Sequence, residues 1–348
     1  MANESLYEGI VRILNARPDA TVRVIVVEVD PRQGADGAVT QSNVRDAEVV
    51  SNGERVFGLR WNVQGHGVIA KVAIDDVLKK DHKKAYAKLV ELIESDPEGR
   101  ADIVELSQWP DRIKPPVAEP SLKKWASLGQ KHRKDHYVNY AFDPDDANAA
   151  ATAIGDGALL TALEDWSSQL RNETDPLKRC NALAFIAHLV GDIHQPLHCT
   201  ALTGKYFPLD EFEDGDQGGN LVWWDKTRTF HSLWDGLISP DASKFDDAVV
   251  ELRNGLSRDK FATELQETTY EAWSLGSFEV SKTVYGKFFA DAKYLGRTTR
   301  EKKDGTEQDG QLFEAPSKAY RKWARDLAFN QGRLAAFRLA DKLAELLE

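Results

Sequence analysis

The sequence contains few cysteines, and this scarcity excludes a fold held together by a network of disulfides. Only Cys180 and Cys199 occur among the 348 residues. If one helix joins them, its rise of about 1.5 Å per residue keeps their Cα atoms far beyond the roughly 7 Å that a disulfide spans. We therefore expect two free thiols, and the cysteine pattern does not point to an oxidising compartment.

Positive charge and long apolar runs are also scarce. The chain has 56 acidic residues against 45 lysines and arginines, a formal net charge of -11, which argues against a simple basic coat for nucleic acid. An enzyme that acts on nucleic acid is not excluded, because bound divalent cations would add positive charge at the site alone. No run of about 18 apolar residues is present, so no transmembrane helix is expected. The first residues lack a basic segment followed by an apolar one and are not a secretory signal as written.

Helical periodicity is the dominant pattern after residue 60. Apolar residues recur at the spacing of one helix face, and the run from 177 to 195 is apolar on most faces, which is typical of a central helix. These stretches predict a mainly α, multi-helix domain, with helices over residues 74–94, 147–172, 177–195, 242–256, 264–285 and 316–348. We expect residues 203–220 to form an acidic, glycine-rich loop and residues 296–311 to form a mobile surface insertion.

The first sixty residues have a different character. The valine-rich stretch 21–30 predicts a strand, residues 31–43 a loop, and residues 53–61 a second strand. We place a boundary near Arg60. Residues 1–60 are then a small α/β extension or a pro-segment, and residues 61–348 form the main domain.

The stretch "HLVGDIHQPLHC", residues 188–199, carries an unusual number of ionisable groups for an apolar helix. His188 and Asp192 are four residues apart and therefore share a helix face. Pro196 cannot continue a regular helix, so the chain must kink or end there, which can redirect His198. His231 and Asp235 repeat the same spacing. One such pair is more often a histidine held by a nearby acid, but two pairs and a further histidine favour a metal site.

The ligand types indicate which metal. Imidazole and carboxylate without thiolate suit catalytic zinc better than a closed structural site. Further candidates lie upstream: His66 in "WNVQGH", Asp111 and Lys114 in "WPDRIK", and His136 in "HYVN".

An ordered set of motifs resembles the zinc-dependent, single-strand-specific nucleases of the S1/P1 type. The set is "WNVQGH", "WPDRIK", "HYVN", "HLVGDIHQPLH", "GDQGGN", "FHSLWD" and "NQGRLA". The likeness runs from Trp61 to the C-terminus, 288 of 348 residues. It implies a mainly helical domain that binds three zinc ions in one cleft.

The resemblance also implies how the ligands are shared among the three zinc ions. The first ion would be bound by Asp111, His136, His188 and Asp192. The second would share Asp192 and be bound also by His66 and by main-chain atoms of Trp61. The third would be bound by His198, His231 and Asp235.

Substrate contacts follow from the same resemblance. Lys114 would contact the phosphate, Asp111 would orient the attacking water, and Tyr137, Asn139 and Asn220 would hold the nucleobase. An aromatic face that stacks on bases, worth about 1–3 kcal/mol per base, favours single strands because paired bases cannot reach it. The implied activity is endonucleolytic cleavage of single-stranded DNA and RNA to 5'-phosphate products, extending to 3'-nucleotides.

The resemblance bears on partners and compartment as well. We expect single-stranded nucleic acid or a nucleotide as the binding partner, and a monomer. Relatives of this type would be secreted or periplasmic, whereas this chain shows no signal peptide, so the sequence leaves the compartment open.

Trp61 departs from the family pattern, because its free α-amine would exist only after cleavage behind Arg60. Three explanations stand side by side. The preceding residues are a removable pro-segment, the start is misassigned and hides a secreted form, or the intact chain binds the second zinc weakly through His66, Asp192 and the Trp61 carbonyl.

Two other functions compete with the nuclease. Zinc phospholipase C shares the three-zinc plan, but the short gap from Trp61 to His66, the long gap from His198 to His231, and Asp235 as the last ligand favour the nuclease. The other alternative is a zinc-binding relative that has lost catalysis.

Overall fold

The computed structural model describes residues 20–24, 47–51, 63–146, 148–225, 227–301 and 305–348. The chain divides into two units, Met1–Gly58 and Leu59–Glu348. In the first unit, strand β1 (Ala20–Val24) pairs antiparallel with strand β2 (Ala47–Ser51). β1 overlaps the strand predicted at residues 21–30. The predicted loop 31–43 and the whole of the predicted strand 53–61, including Trp61, lie outside the described residues.

Helices form most of the second unit, which confirms the expected mainly α architecture. The longer helices are α1 (Val63–Val72), α2 (Lys83–Glu94), α3 (Ile103–Arg112), α4 (Ala126–Lys131), α5 (Leu159–Asn172), α6 (Pro176–Asp192), α7 (Phe230–Asp235), α8 (Phe245–Asn254), α9 (Tyr270–Asp291) and α10 (Lys318–Leu347). Short strands complete the unit: β3 (Asn139–Phe142), β4 (Ala153–Ile154), β5 (Thr200–Leu202), β6 (Val222–Trp223), β7 (Tyr294–Glu301) and β8 (Glu307–Phe313).

Two of the predicted helices are wrong in extent. The helix predicted over 74–94 is interrupted at His82, whose ψ of 61° is not helical. α1 instead runs on through a π-helical segment, Ala73–Leu78, and a short turn, Lys79–Asp81. The alanine-rich first half of 147–172 is not helical, because β4 pairs with β3 there and this tertiary pairing overrides local helix propensity.

The charged stretch 296–311, predicted as a loop insertion, is β-structure over most of its length. Residues 296–301 and 307–311 belong to the antiparallel hairpin formed by β7 and β8, and β8 also pairs in parallel with β6. Cross-strand polar contacts hold the hairpin: Arg297 donates to Asp309 at 2.7 Å and Thr299 donates to the same carboxylate at 2.6 Å. Such pairs stabilise a sheet even where its residues are polar.

Helix α6 is the centre of the core, as its all-round apolar sequence predicts. Asp175 caps its first turn and Pro176 occupies the first helical position, where a missing N–H does no harm. Every residue from Cys180 to Asp192 is buried, and α3, α5 and α10 pack against it. Cys180 and Cys199 are both buried free thiols, as expected. None of the described helices combines the length and apolarity needed to cross a bilayer.

Candidate metal centre and cleft

The C-terminal end of α6 brings the first candidate ligands together. Nε2 of His188 lies 3.1 Å from Oδ2 of Asp192, as their spacing predicts. The helix ends at Asp192, and a 3-10 turn over Pro196–Cys199 follows. His198 sits in this turn with Nδ1 3.2 Å from Asp192 Oδ1. The proline break therefore directs His198 back towards the carboxylate.

Other segments supply the ligands around α6. The ring of His66, on α1, stacks on the ring of His188 with centroids 3.7 Å apart. Asp111, near the end of α3, places Oδ1 3.6 Å from His188 Nε2. His136, just before β3, places Nδ1 2.8 Å from Oδ2 of Asp192. Elements distant in the sequence thus converge on one buried point.

The two oxygens of Asp192 face different imidazoles. Oδ2 contacts His136 and His188, whereas Oδ1 lies 3.4 Å from Nε2 of His66. The side chain is almost fully buried, with 1% of the residue exposed. One carboxylate placed between two sets of imidazoles can serve two metal ions.

A further group lies beyond the proline break. On α7, Nε2 of His231 is 3.3 Å from Oδ2 of Asp235, and the His231 ring stacks on that of His198 with centroids 4.9 Å apart. The amide of Gln195 donates to Oδ1 of Asp235 at 2.9 Å and fixes this carboxylate. Thr229 caps α7 with a capping box, which sets where His231 emerges.

Within the described residues, three groups of histidine and aspartate have ligand atoms within 4.8 Å of one another. They are His66 with His188 and Asp192, Asp111 with His136 and His188, and His198 with His231 and Asp235. His188 belongs to two of these groups. Trp61 lies outside the described residues, so its part in the centre stays a prediction.

Hydrogen bonds behind the histidines suit metal binding. Nδ1 of His188 donates to the carbonyl of Ser107 at 2.8 Å, Nδ1 of His198 to that of His136 at 2.8 Å, and Nδ1 of His231 to that of Gly218 at 2.7 Å. A carbonyl only accepts, so each Nδ1 carries the proton and each Nε2 keeps its lone pair for an ion. Nε2 of His198 is buried and, in the described part of the chain, makes no hydrogen bond. This donor set fits zinc.

The charge states suit the same purpose. Burial, aided by the nearby His188, lowers the pKa of His66 to about 3. Burial and the charge of Lys114 hold the pKa of His136 well below its ordinary value. Burial would raise the pKa of Asp192, but His188 and the neighbouring histidines outweigh it and hold that pKa well below its usual range. Near neutral pH His66 and His136 are therefore neutral imidazoles and Asp192 is an ionised carboxylate, the forms that bind metal, whereas the carboxylates of Asp192 and Asp235 outweigh burial and raise the pKa of His198.

The metal groups open into a cleft of about 460 Å³. Its walls combine candidate ligands, the expected nucleobase residues and basic side chains: Lys114, Arg133, Lys134, His136, Tyr137, Asn139, Leu197, His198, Asp214, Gln217, Asn220, His231, Arg300 and Gln308. The structure thus places Tyr137, Asn139 and Asn220 beside the histidines. Lys114 is buried and lies 2.5 Å from Oδ1 of Asp111, so these two predicted catalytic side chains are in direct contact.

The sequence reasoning missed several residues of this cleft. Arg133 and Lys134 stand three and two positions before His136, and this proximity to a predicted ligand is a signal that could have found them. Arg300 and Gln308 belong to the hairpin that was expected to be an insertion, so no signal pointed to them. The role of Gly218 as the acceptor that orients His231 was also missed.

We predict that Gly191→Ala weakens metal binding. A Cβ at this position would lie 2.6 Å from Nδ1 of His66, so the imidazole must move away from Asp192. Disturbing the support of a ligand lowers metal affinity by about 10–100-fold, which competition with a chromogenic zinc chelator measures. Gly276→Ala is the control, since a Cβ there meets nothing within 4 Å and replaces a helical glycine, adding about 0.5–1 kcal/mol of stability. Equal affinity in the two variants would contradict this account of His66.

We predict that the free energy of unfolding depends on pH because of Asp216, which lies in the same loop as Gly218. Burial raises its pKa to about 7, although the Tyr285 hydroxyl donates to the carboxylate at 2.6 Å. The folded state then keeps a proton that the unfolded state releases near pH 4, so the free energy of unfolding falls as pH rises from about 4 to about 7. The slope reaches about 1.4 kcal/mol per pH unit.

Asp216→Asn, which mimics the protonated acid, should remove this part of the slope. Urea unfolding across that pH range checks it, with chelator present for both proteins so that metal release does not contribute. Identical slopes in the two proteins would show that Asp216 is ionised when folded.

Known proteins are similar to this chain over the region that contains the candidate ligands. The family sequence model described as S1/P1 nuclease matches residues 61–348. The chain is 28% identical to Endonuclease 4 of Arabidopsis thaliana over 195 residues (53% of this chain, 58% of the relative) and 26% identical to Endonuclease 3 of the same plant over 229 residues (62% and 65%). It is 21% identical to Nuclease S1 of Aspergillus oryzae over 217 residues (62% and 68%). The matches to the two plant proteins thus span less than two thirds of their length.

Proposed function

Because the chain belongs to the S1/P1 nuclease family, we propose that it is a zinc-dependent endonuclease. It hydrolyses phosphodiester bonds of single-stranded DNA and RNA to 5'-phosphate products, and it accepts 3'-nucleotides at the same centre. One observation carries the proposal: three groups of histidine and aspartate lie close together, and His136, His198 and His231 of these groups line a cleft with basic side chains and with the residues proposed to bind the base.

The donor set assigns the ions. One zinc would be bound by Asp111, His136, His188 and Asp192, a second by His66 and the shared Asp192, and a third by His198, His231 and Asp235. When bound, zinc supplies Lewis-acid stabilisation of phosphate oxygens and a nucleophile at neutral pH. Asp192, whose two oxygens face different histidines, would be the ligand shared by the first two ions, and His188 would bind the first through Nε2 alone.

The remaining steps belong to side chains of the cleft. The Lys114 ammonium offsets charge on the phosphoryl group, and its contact with Asp111 holds it close to the ligands. Asp111 orients the attacking water. The Tyr137 ring stacks on a base, and it is held in place because its hydroxyl donates to Asp156 at 2.9 Å. Asn139 and Asn220 supply amide groups for the base edge.

The loop that carries Asn220 is well anchored for this role. The main-chain carbonyl of Asn220 accepts a 2.7 Å hydrogen bond from the indole N–H of Trp223. The carbonyl of Gly219 accepts another from the main-chain N–H of His231 at 3.2 Å. Hydrogen bonds therefore connect the proposed base-binding loop to the helix that carries His231 and Asp235.

Trp61 is proposed to complete the second zinc site once its α-amine is free. N-terminal sequencing of the active species tests this directly. An active protein that begins at Trp61 supports the proposal, and an equally active intact chain contradicts it.

Substrate comparison tests the function as a whole. We expect the purified protein to cleave single-stranded DNA and RNA, to cleave a matched duplex much more slowly, and to release phosphate from a 3'-nucleotide. A phosphatidylcholine substrate serves as the control for the related lipase chemistry. Turnover of the lipid without turnover of nucleic acid would overturn the proposal.

A further inference from the structure

Arg300 occupies an unusual position for an arginine of an acidic protein. It lies near the end of β7, where it is half-buried, and it lines the cleft together with Gln308, its cross-strand partner on β8. Two polar side chains of the hairpin therefore project into the same space as the metal ligands. Among the described residues that line this cleft, Asp214 alone is acidic.

No carboxylate of the described part of the chain is paired with the Arg300 guanidinium. Among the described residues it makes neither an ion pair nor a hydrogen bond, although acids outnumber bases 56 to 45 in the chain. Burial alone lowers its pKa, and an arginine with so high an ordinary pKa stays charged throughout. A half-buried guanidinium that no described residue engages in a hydrogen bond keeps its N–H donors available for an anion in the cleft.

Aromatic stacking fixes the direction of this side chain. The Arg300 guanidinium lies over the ring of Trp223, 4.1 Å from its centroid. On the hairpin, Gly310 leaves room for that ring, since a Cβ there would lie 2.6 Å from Trp223 Cζ2. The same indole donates to the carbonyl of Asn220. Arg300 is thus held in place by the residue that anchors the proposed base-binding loop.

We propose that Arg300 binds a phosphate of the single strand other than the one being cleaved. Guanidinium groups match phosphate geometry, and a stacked, preorganised arginine loses little side-chain freedom on binding. This inference rests on the proposed function. It makes the hairpin a determinant of preference for a polynucleotide over a mononucleotide.

The contribution of Arg300 can be measured as the affinity of the protein for a single strand with a charged backbone. Fluorescence anisotropy with the zinc-loaded protein and a cleavage-resistant phosphorothioate single strand should show about tenfold weaker binding for Arg300→Ala. The dependence of log affinity on log salt concentration should fall by about 0.7, the contribution of one phosphate contact in a single strand. Arg300→Lys keeps the charge but lacks the planar guanidinium, so its affinity for the strand should lie between those of the wild type and Arg300→Ala. A methylphosphonate strand of the same sequence, which has no backbone charge, should not show the tenfold loss.

Arg297 offers a matched control three positions earlier on the same strand. It is outside the cleft and is already paired with Glu211 and Asp309, so Arg297→Ala removes the same charge without removing a free donor. Equal losses in the two alanine variants, or an unchanged salt slope for Arg300→Ala, would overturn the inference.

The outcome for Arg300 is separable from the proposed function. If the wild-type protein binds the strand through Arg300 but cleaves no nucleic acid, the catalytic proposal fails and this inference stands. If it cleaves single strands and Arg300→Ala binds them as tightly as wild type, only this inference fails. A wild-type protein that binds no strand overturns both.

Discussion

Replacing Asp192 with asparagine should lower phosphodiester hydrolysis by about a hundred- to a thousandfold or more, since removing even one preorganised electrostatic group from a reaction centre costs about that much. The carboxylate lies between His66 on one side and His136 with His188 on the other. In asparagine, one of these oxygens becomes an amide nitrogen, which carries hydrogens and cannot bind a metal ion. The change is nearly isosteric, so the loss would come from chemistry and not from packing.

Metal analysis makes this experiment specific. Asp192→Asn should retain the third ion, at His198, His231 and Asp235, and lose or bind weakly about two others. Asp216→Asn is the matched control, because it makes the same substitution at a buried aspartate outside the metal groups. A folded Asp192→Asn protein with wild-type activity would show that the proposed ligand assignment is wrong.

Chelation should abolish hydrolysis and also destabilise the folded chain. Without metal, His66, His188 and Asp192 remain buried at 0–1% exposure, where polar groups need partners. A ligand that binds only the folded state adds about 4 kcal/mol when its free concentration is a thousand times its Kd. Thermal unfolding before and after dialysis against EDTA should show this loss as a lower midpoint.

Reloading distinguishes zinc from other divalent ions. Added zinc should restore both activity and the unfolding midpoint, whereas magnesium should restore neither, because it prefers oxygen ligands and octahedral geometry. A protein that is metal-free by mass spectrometry and still cleaves single strands would contradict a metal-dependent mechanism.

The sequence predicted the site best where side chains able to bind metal recur at the spacing of one helix face. The four-residue spacing of His188 and Asp192 fixed their common face, and Pro196 explained why His198 turns back. His66, Asp111 and His136 could be tied to the same centre only through the ordered family motifs, because spacing along the chain does not reveal which distant segments meet.

Errors arose where tertiary contacts override local pattern. Alanine-rich residues around 150 look helical, but pairing of β4 with β3 withdraws them from the helix. The hairpin around Arg300 carries so many charges that it looks like a solvated insertion. Its pairing with β6 and the contact between Arg300 and Trp223 form only in the assembled sheet. The periodicity of the sequence does not predict such contacts between distant segments.

The wide separation of the ligands in the sequence has a consequence for folding. His66, Asp111, His136, His188 and Asp235 come from five segments, and most of the second unit must be in place before they meet. Contacts of such long sequence separation form late and slowly. High-affinity zinc uptake should therefore mark the completion of folding, and a fragment that lacks α1 or α7 cannot form the complete centre however stable its helices are.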